Sequence, residues 1–139
     1  MIRIRFLLFI VSLIIIDQLS KYIVRHSGGF YICNPGIAFG WEIPEVLFWA
    51  VYTIIIGLAL YLFSKKNQNK YLIHNTLYLI LISSGAFSNL IDRVRYGCVI
   101  DFIDLKFWPV FNLADAFITI GGIMIVICLL RYYRRLRSA

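Results

Sequence analysis

The chain has 139 residues, of which 61% are hydrophobic and 15% charged, with a formal net charge of +7. Soluble domains carry about 25% charged residues, so this composition, with a mean hydropathy of +0.82, excludes an ordinary soluble globular protein. The basic residues form short clusters between apolar blocks and make no single basic face, which argues against nucleic-acid binding and for anionic lipid headgroups as their partner.

In chain order, Arg3 and Arg5 precede a long apolar stretch. A secretory signal opens in the same way, but no small-x-small cleavage site follows cleanly and further apolar blocks do, so the stretch reads as an uncleaved first span over residues 6–24. This span is apolar to Ile16 and then carries Asp17, Gln18, Ser20 and Lys21. Residues 25–44 form a long connecting segment with Gly28-Gly29, the turn Asn34-Pro35-Gly36 and Pro44, and a short strand starts at Phe30–Cys33. A second span covers 45–63 and a third 71–91. Residues 92–112 mix Asp101 and Asp104 with Phe102, Leu105, Phe107 and Trp108, which suits a surface-lying or partly inserted piece. A fourth span covers 113–130, with Asp115 at its start. Each span approaches the roughly 20 residues that cross about 30 Å of hydrocarbon.

Charge sets the orientation. Arg3, Arg5, Lys65, Lys66, Lys70, Arg131, Arg134, Arg135 and Arg137 fall on one side with no acidic residue, and all seven acidic residues fall on the other. The positive-inside rule then puts both termini in the cytoplasm and the segments 25–44 and 92–112 outside. Phe30, Tyr31, Phe39, Trp41, Phe48, Trp49, Phe107, Trp108 and Phe111 crowd that outer side and read first as an interfacial aromatic belt. Ser84 and Ser88 form a small-x-x-x-small pair, and Gly121-Gly122 offers a second small face for close helix packing. The three cysteines, Cys33, Cys98 and Cys128, have no metal-ligand or redox spacing. A disulfide between Cys33 and Cys98 is open to the chain, though nothing in the spacing demands it.

Ionisable groups within or beside a span are costly unless paired or functional. Asp17 and Lys21 are four apart and share a helix face, so a salt bridge and a chemical role are both open for them. Asn89, Asp92 and Arg93 stand together at the end of the third span. Asn112 suits a helix cap, which puts Asp115 at the third helical position, where the dipole favours a carboxylate. Asp101 lies between Ile100 and Phe102 with nothing polar beside it. Several carboxyl groups near a low-dielectric boundary make a pair sharing one proton plausible, acting on water as base and on a peptide as acid. Which two meet is left open at this level. The two histidines, His26 and His74, fall on opposite sides, which disfavours a zinc site or a Ser-His-Asp triad, and there is no phosphate loop or dinucleotide fingerprint.

Five blocks in order, Asp17-Gln18-Leu19-Ser20-Lys21, Asn34-Pro35-Gly36-Ile37-Ala38-Phe39-Gly40, Ser88-Asn89-Leu90-Ile91-Asp92-Arg93, Val99-Ile100-Asp101-Phe102-Ile103 and Phe111-Asn112-Leu113-Ala114-Asp115, resemble the motifs of bacterial lipoprotein signal peptidase (signal peptidase II). The resemblance covers almost the whole chain. Ser88 stands where that family usually has Gly, and the chain is somewhat short for it.

The resemblance implies an all-α polytopic membrane protein of one domain, with four spans, both termini inside, a small outer β-cradle near residues 30–40 and an outer amphipathic helix between spans three and four. It implies an aspartic endopeptidase with Asp101 and Asp115 catalytic, and Asp17, Lys21, Asn34, Gly36, Asn89, Asp92, Arg93 and Asn112 supporting the site or meeting the substrate. The implied substrate is a diacylglyceryl-modified prolipoprotein, cut on the N-terminal side of its lipidated cysteine, in the bacterial cytoplasmic membrane with the site at the outer face. Inhibition by a cyclic peptide of the globomycin type, a monomeric state and the absence of any metal or cofactor complete the expectation. The competing readings are a non-enzymatic transporter or assembly protein, and a lipid-modifying enzyme using Asp92, Arg93 and Asp101.

Overall fold

The structure, a computed structural model, describes residues 2–36, 54, 57 and 70–137. Three long helices, α1 (Ile2–His26), α2 (Lys70–Tyr96) and α3 (Leu113–Arg137), carry the fold, with two short strands, β1 (Ile32–Asn34) and β2 (Val99–Asp101). The second span expected over residues 45–63 lies outside the described residues, apart from helical Ile54 and Gly57, as do residues 37–40 of the second motif.

Ile4–His26 of α1 and Leu77–Tyr96 of α2 are long and apolar enough to cross a membrane, and α3 is apolar over Leu113–Cys128. Side chains such as Leu8, Ile15, Ile16, Leu19 and Ile23 on α1 and Ile123 and Val126 on α3 are at least half exposed, as lipid-facing side chains are. The buried positions are instead rich in polar groups: Asp17, Lys21, Ser84, Ser88, Asn89, Asp92, Asp101 and Asn112. Lipid solvates apolar side chains outside, so the polar residues turn inward where partners satisfy them.

The central helix is α2, which packs extensively on α3 and also on α1. Its approach to α3 needs Gly85, where a Cβ would collide with the Ala114 carbonyl. Gly121 meets α2 in the same way, since a Cβ there would lie 2.7 Å from the Tyr78 carbonyl oxygen, whereas Gly122 faces open space. Of the expected small-residue face, Ser84 and Ser88 are both fully buried, and Ser84 bonds back to the Ile80 carbonyl at 2.6 Å.

Two expectations need correction. Helix α2 runs five residues past position 91, so Asp92 and Arg93 are helical and not part of a loop. It ends at Gly97, whose φ of +74° reverses the chain while its N–H bonds the Arg93 carbonyl at 2.9 Å. The amphipathic helix expected between the third and fourth spans is absent: residues 97–112 contain no helix. There the chain forms β2 and then a loop closed by an Ile103–Phe111 bridge. Lys106 adopts φ +68°, and its N–H donates to the Asp104 carboxylate at 2.8 Å, a local turn that competes with helix.

The strands pair antiparallel, with Ile32 opposite Asp101, Cys33 opposite Ile100 and Asn34 opposite Val99. Two diagonal contacts tie them, one on each face. On one face Cys33 and Cys98 form a disulfide with Cα atoms 5.5 Å apart, which answers the question that spacing left open. On the other the Asn34 amide donates to the Asp101 carboxyl at 2.9 Å.

Candidate active site

The site lies where the ends of α1 and α2 meet β2 and the start of α3. Asn112 caps α3, accepting from the Asp115 N–H at 2.9 Å through its side-chain oxygen, while its own N–H donates to Asp115 Oδ2 at 3.2 Å. This is a reciprocal capping box with Asp in the acidic position. The loop before it returns Phe111 to the end of β2, where its carbonyl accepts from the Phe102 and Ile103 N–H groups at 3.0 and 2.8 Å. Asn112 is thereby set against Asp101, and its amide donates to Asp101 Oδ1 at 2.6 Å. Asn112 is fully buried and touches both carboxyl groups.

The remaining oxygens of the two acids are also held by amides. Asn34 donates to Asp101 Oδ2 at 2.9 Å, and Asn89 donates to Asp115 Oδ1 at 2.7 Å. Asn34 is itself fixed by the Gly36 N–H at 3.0 Å, a turn that Pro35 helps to set. Burial pushes the Asp101 carboxyl up to about 6, opposed by the Asn34 bond, raised further by the Asp115 charge, and opposed again by the Asn112 bond and the Lys21 ammonium.

Behind this pair stands a second cluster, centred on Lys21. Lys21 Nζ lies 2.7 Å from Asp17 Oδ2, 2.8 Å from Asp92 Oδ2 and 2.9 Å from Asn89 Oδ1. Three acceptors match the three donors of an ammonium. Asp17 also accepts from the Ser88 hydroxyl at 2.7 Å and from the Ala114 N–H at 2.9 Å, so α1 supplies a carboxylate to the N-terminus of α3. Asp92 accepts from the Gln18 amide at 2.8 Å and the Ile100 N–H at 3.2 Å, which anchors β2 to α2. Asn89 joins the two clusters, since its oxygen accepts from both Lys21 and Asn112 while its nitrogen donates to Asp115.

The structure thus brings Asp17, Lys21, Asn34, Asn89, Asp92, Asp101, Asn112 and Asp115 into one network. Arg93 reaches the Gly36 carbonyl instead, bracing the turn that carries Asn34. Sequence reasoning assigned no contact to Gln18, and it treated Ser88 as small and not as a partner. Gln18 also donates to the Ser88 carbonyl and hydroxyl at 3.1 and 3.0 Å. The only available signal was their polarity within apolar spans, which is costly unless bonded. Among the described residues there is no cluster of His, Cys, Asp or Glu suited to a metal ion.

Apolar helices around a buried polar site, with a pair of carboxyl groups held by amides, are the features of a small helical membrane enzyme. Solved structures share the fold. One bacterial membrane enzyme superposes with a TM-score of 0.80 at 33% identity, covering 91% of this chain and 88% of the other, and a second gives 0.76 at 30% identity, covering 91% and 92%. The sequence profile of the family described as Signal peptidase (SPase) II matches residues 9–131. A lipoprotein signal peptidase of Caldanaerobacter subterraneus subsp. tengcongensis is 39% identical over 81% of this chain and 86% of its own length. One from Moorella thermoacetica is 38% identical over 88% and 89%. The chain belongs to the signal peptidase II family, and is a peptidase by that membership.

Proposed function

We propose that this protein is an intramembrane aspartic endopeptidase. It removes the signal peptide from diacylglyceryl-modified prolipoproteins by cutting on the N-terminal side of the lipidated cysteine. The observation that carries the reading is the pair of Asp101, buried, and Asp115, half-buried, held on either side of Asn112. Family membership and the apolar helices support a place in the bacterial cytoplasmic membrane. The distribution of basic residues favours four spans with both termini inside and the carboxyl pair at the outer face.

In this mechanism the pair holds one proton. The ionised carboxylate takes a proton from water, whose oxygen attacks the scissile carbonyl carbon, and the protonated partner donates to the carbonyl oxygen. Collapse of the tetrahedral intermediate breaks the C–N bond, and a proton passes to the leaving amine of the cysteine. Burial that lifts Asp101 to about 6 brings its proton exchange closer to neutral pH. Asn112, Asn34 and Asn89 aim the carboxyl groups without neutralising them. The scissile bond of a lipidated precursor reaches the aqueous boundary while its acyl chains stay in apolar surroundings, stabilised by about 0.8 kcal/mol per buried CH₂.

The test is cleavage of a diacylglyceryl-modified lipobox peptide by purified protein. D101N and D115N should each lose activity while keeping their helical circular dichroism. Near-normal turnover in either folded variant would overturn the assignment. A globomycin-type peptide should inhibit the wild type.

A further inference from the structure

Beyond the carboxyl pair, a groove of about 90 Å³ opens between the last turns of α1 and α2. Its floor is the Lys21–Asp92 ion pair with the Gln18 amide, all mutually satisfied. Its mouth is formed by Tyr22, Arg25, Arg95 and Tyr96. The Arg25 guanidinium sits 4.1 Å from the centre of the Tyr96 ring, and Arg95 lies 5.3 Å from the same centre. Two cations thus share one aromatic ring, and among the described residues neither has a carboxylate within ion-pair distance. Arg25 Nε is buried and has no hydrogen-bond partner in the protein. A buried donor left unpaired is unfavourable, so an acceptor towards which the Arg25 guanidinium turns is favoured, with Coulomb attraction added.

The groups lining the groove are Lys21, Arg25 and Arg95 against Asp92 alone, which leaves an excess of positive charge. Below the groove on the same side of α1 stand Ile15 and Val11, both exposed and apolar. A cationic pocket at a helix end, with bare apolar surface leading away from it along the span, matches an anionic headgroup with acyl chains below it. We infer that the Arg25–Arg95 groove binds the phosphodiester headgroup of an anionic membrane phospholipid, with its acyl chains along the exposed face of α1. The guanidinium fork of Arg25 supplies Nε–H and Nη–H donors to two phosphate oxygens, as phosphate recognition favours. This site is separate from the carboxyl pair and does not depend on what is cleaved there.

The test is native mass spectrometry of the full-length protein released from detergent in the presence of phosphatidylglycerol or phosphatidylcholine with identical acyl chains. One phosphatidylglycerol should remain bound with about 30-fold preference, the effect expected of two guanidinium groups near an anionic headgroup. R25Q/R95Q should abolish the preference, and R131Q/R134Q, at the far end of α3, should leave it intact. R25K keeps the charge but removes Nε, and should lose part of it. The inference is overturned by a wild type without preference, by an R25Q/R95Q variant that keeps it, or by inorganic phosphate displacing the lipid from the wild type. Where R25Q/R95Q fails to fold, R25K locates the site, and an R25K protein with the full wild-type preference overturns the inference.

Discussion

Asp17 and Asp92 are as deeply buried as Asp101, yet the two groups of acids are built differently. Each of the first two accepts from the Lys21 ammonium, from a polar side chain and from a backbone N–H: Ser88 and Ala114 for Asp17, Gln18 and Ile100 for Asp92. Among the described residues, Asp101 and Asp115 accept only from neutral amides, two bonds each. A carboxylate tied to an ammonium is held by an ion pair. One held by amides alone is aimed but still free to exchange a proton. The contrast separates two ion-paired acids from two held by amides, within one network that Asn89 joins.

The largest effect should come from breaking the first group. K21M leaves two buried carboxylates without their cation, and breaking such an arrangement costs about 3–5 kcal/mol. The variant should fail to accumulate as folded protein, measured by thermal melting in detergent. If K21M melts like the wild type, the two groups are not distinct in kind.

D101N or D115N should produce the opposite pattern. The fold should survive, because no ion pair is lost, although the new amide sets one N–H donor against another and should cost about 1–3 kcal/mol. Cleavage should fall by about 10²–10⁴-fold, the usual contribution of a general acid or base. Measuring melting and turnover on the same preparations checks both halves.

A smaller effect sharpens the difference between Ser88 as spacer and Ser88 as partner. S88A removes one donor from Asp17 and one acceptor from Gln18. It should cost about 1–3 kcal/mol of stability without moving the Asp101 titration, whose influences do not include Ser88.

The smallest and most discriminating effect is on proton affinity. Carbon-13 NMR of labelled carboxyl groups should find Asp101 titrating near 6. D115N removes a negative charge that raises it, so the midpoint should fall, and N34A removes a donor that lowers it, so the midpoint should climb. Because the folded value lies above the ordinary 3.8, this group's contribution to stability is complete below about pH 4 and lost as pH rises through about 6. D101N should flatten that part of the stability profile.

Much of this protein was readable in its sequence. Apolar blocks of membrane length bounded by basic clusters defined the helices, because hydrocarbon admits only internally bonded backbone. The Asp17–Lys21 pair and the Asn112–Asp115 cap were legible because helical periodicity fixes neighbours three and four residues apart. Contacts across long stretches of chain were not. Only the tertiary structure decided that Asn112 would bridge Asp101 and Asp115, and that Lys21 would divide itself among Asp17, Asp92 and Asn89. The same holds for the closure of Cys33 on Cys98, and for the β-bridged loop that stands where an amphipathic helix was expected. Local pattern states which groups must leave lipid, but their partners depend on helix packing at Gly85 and Gly121 and on strand register, which no single segment encodes.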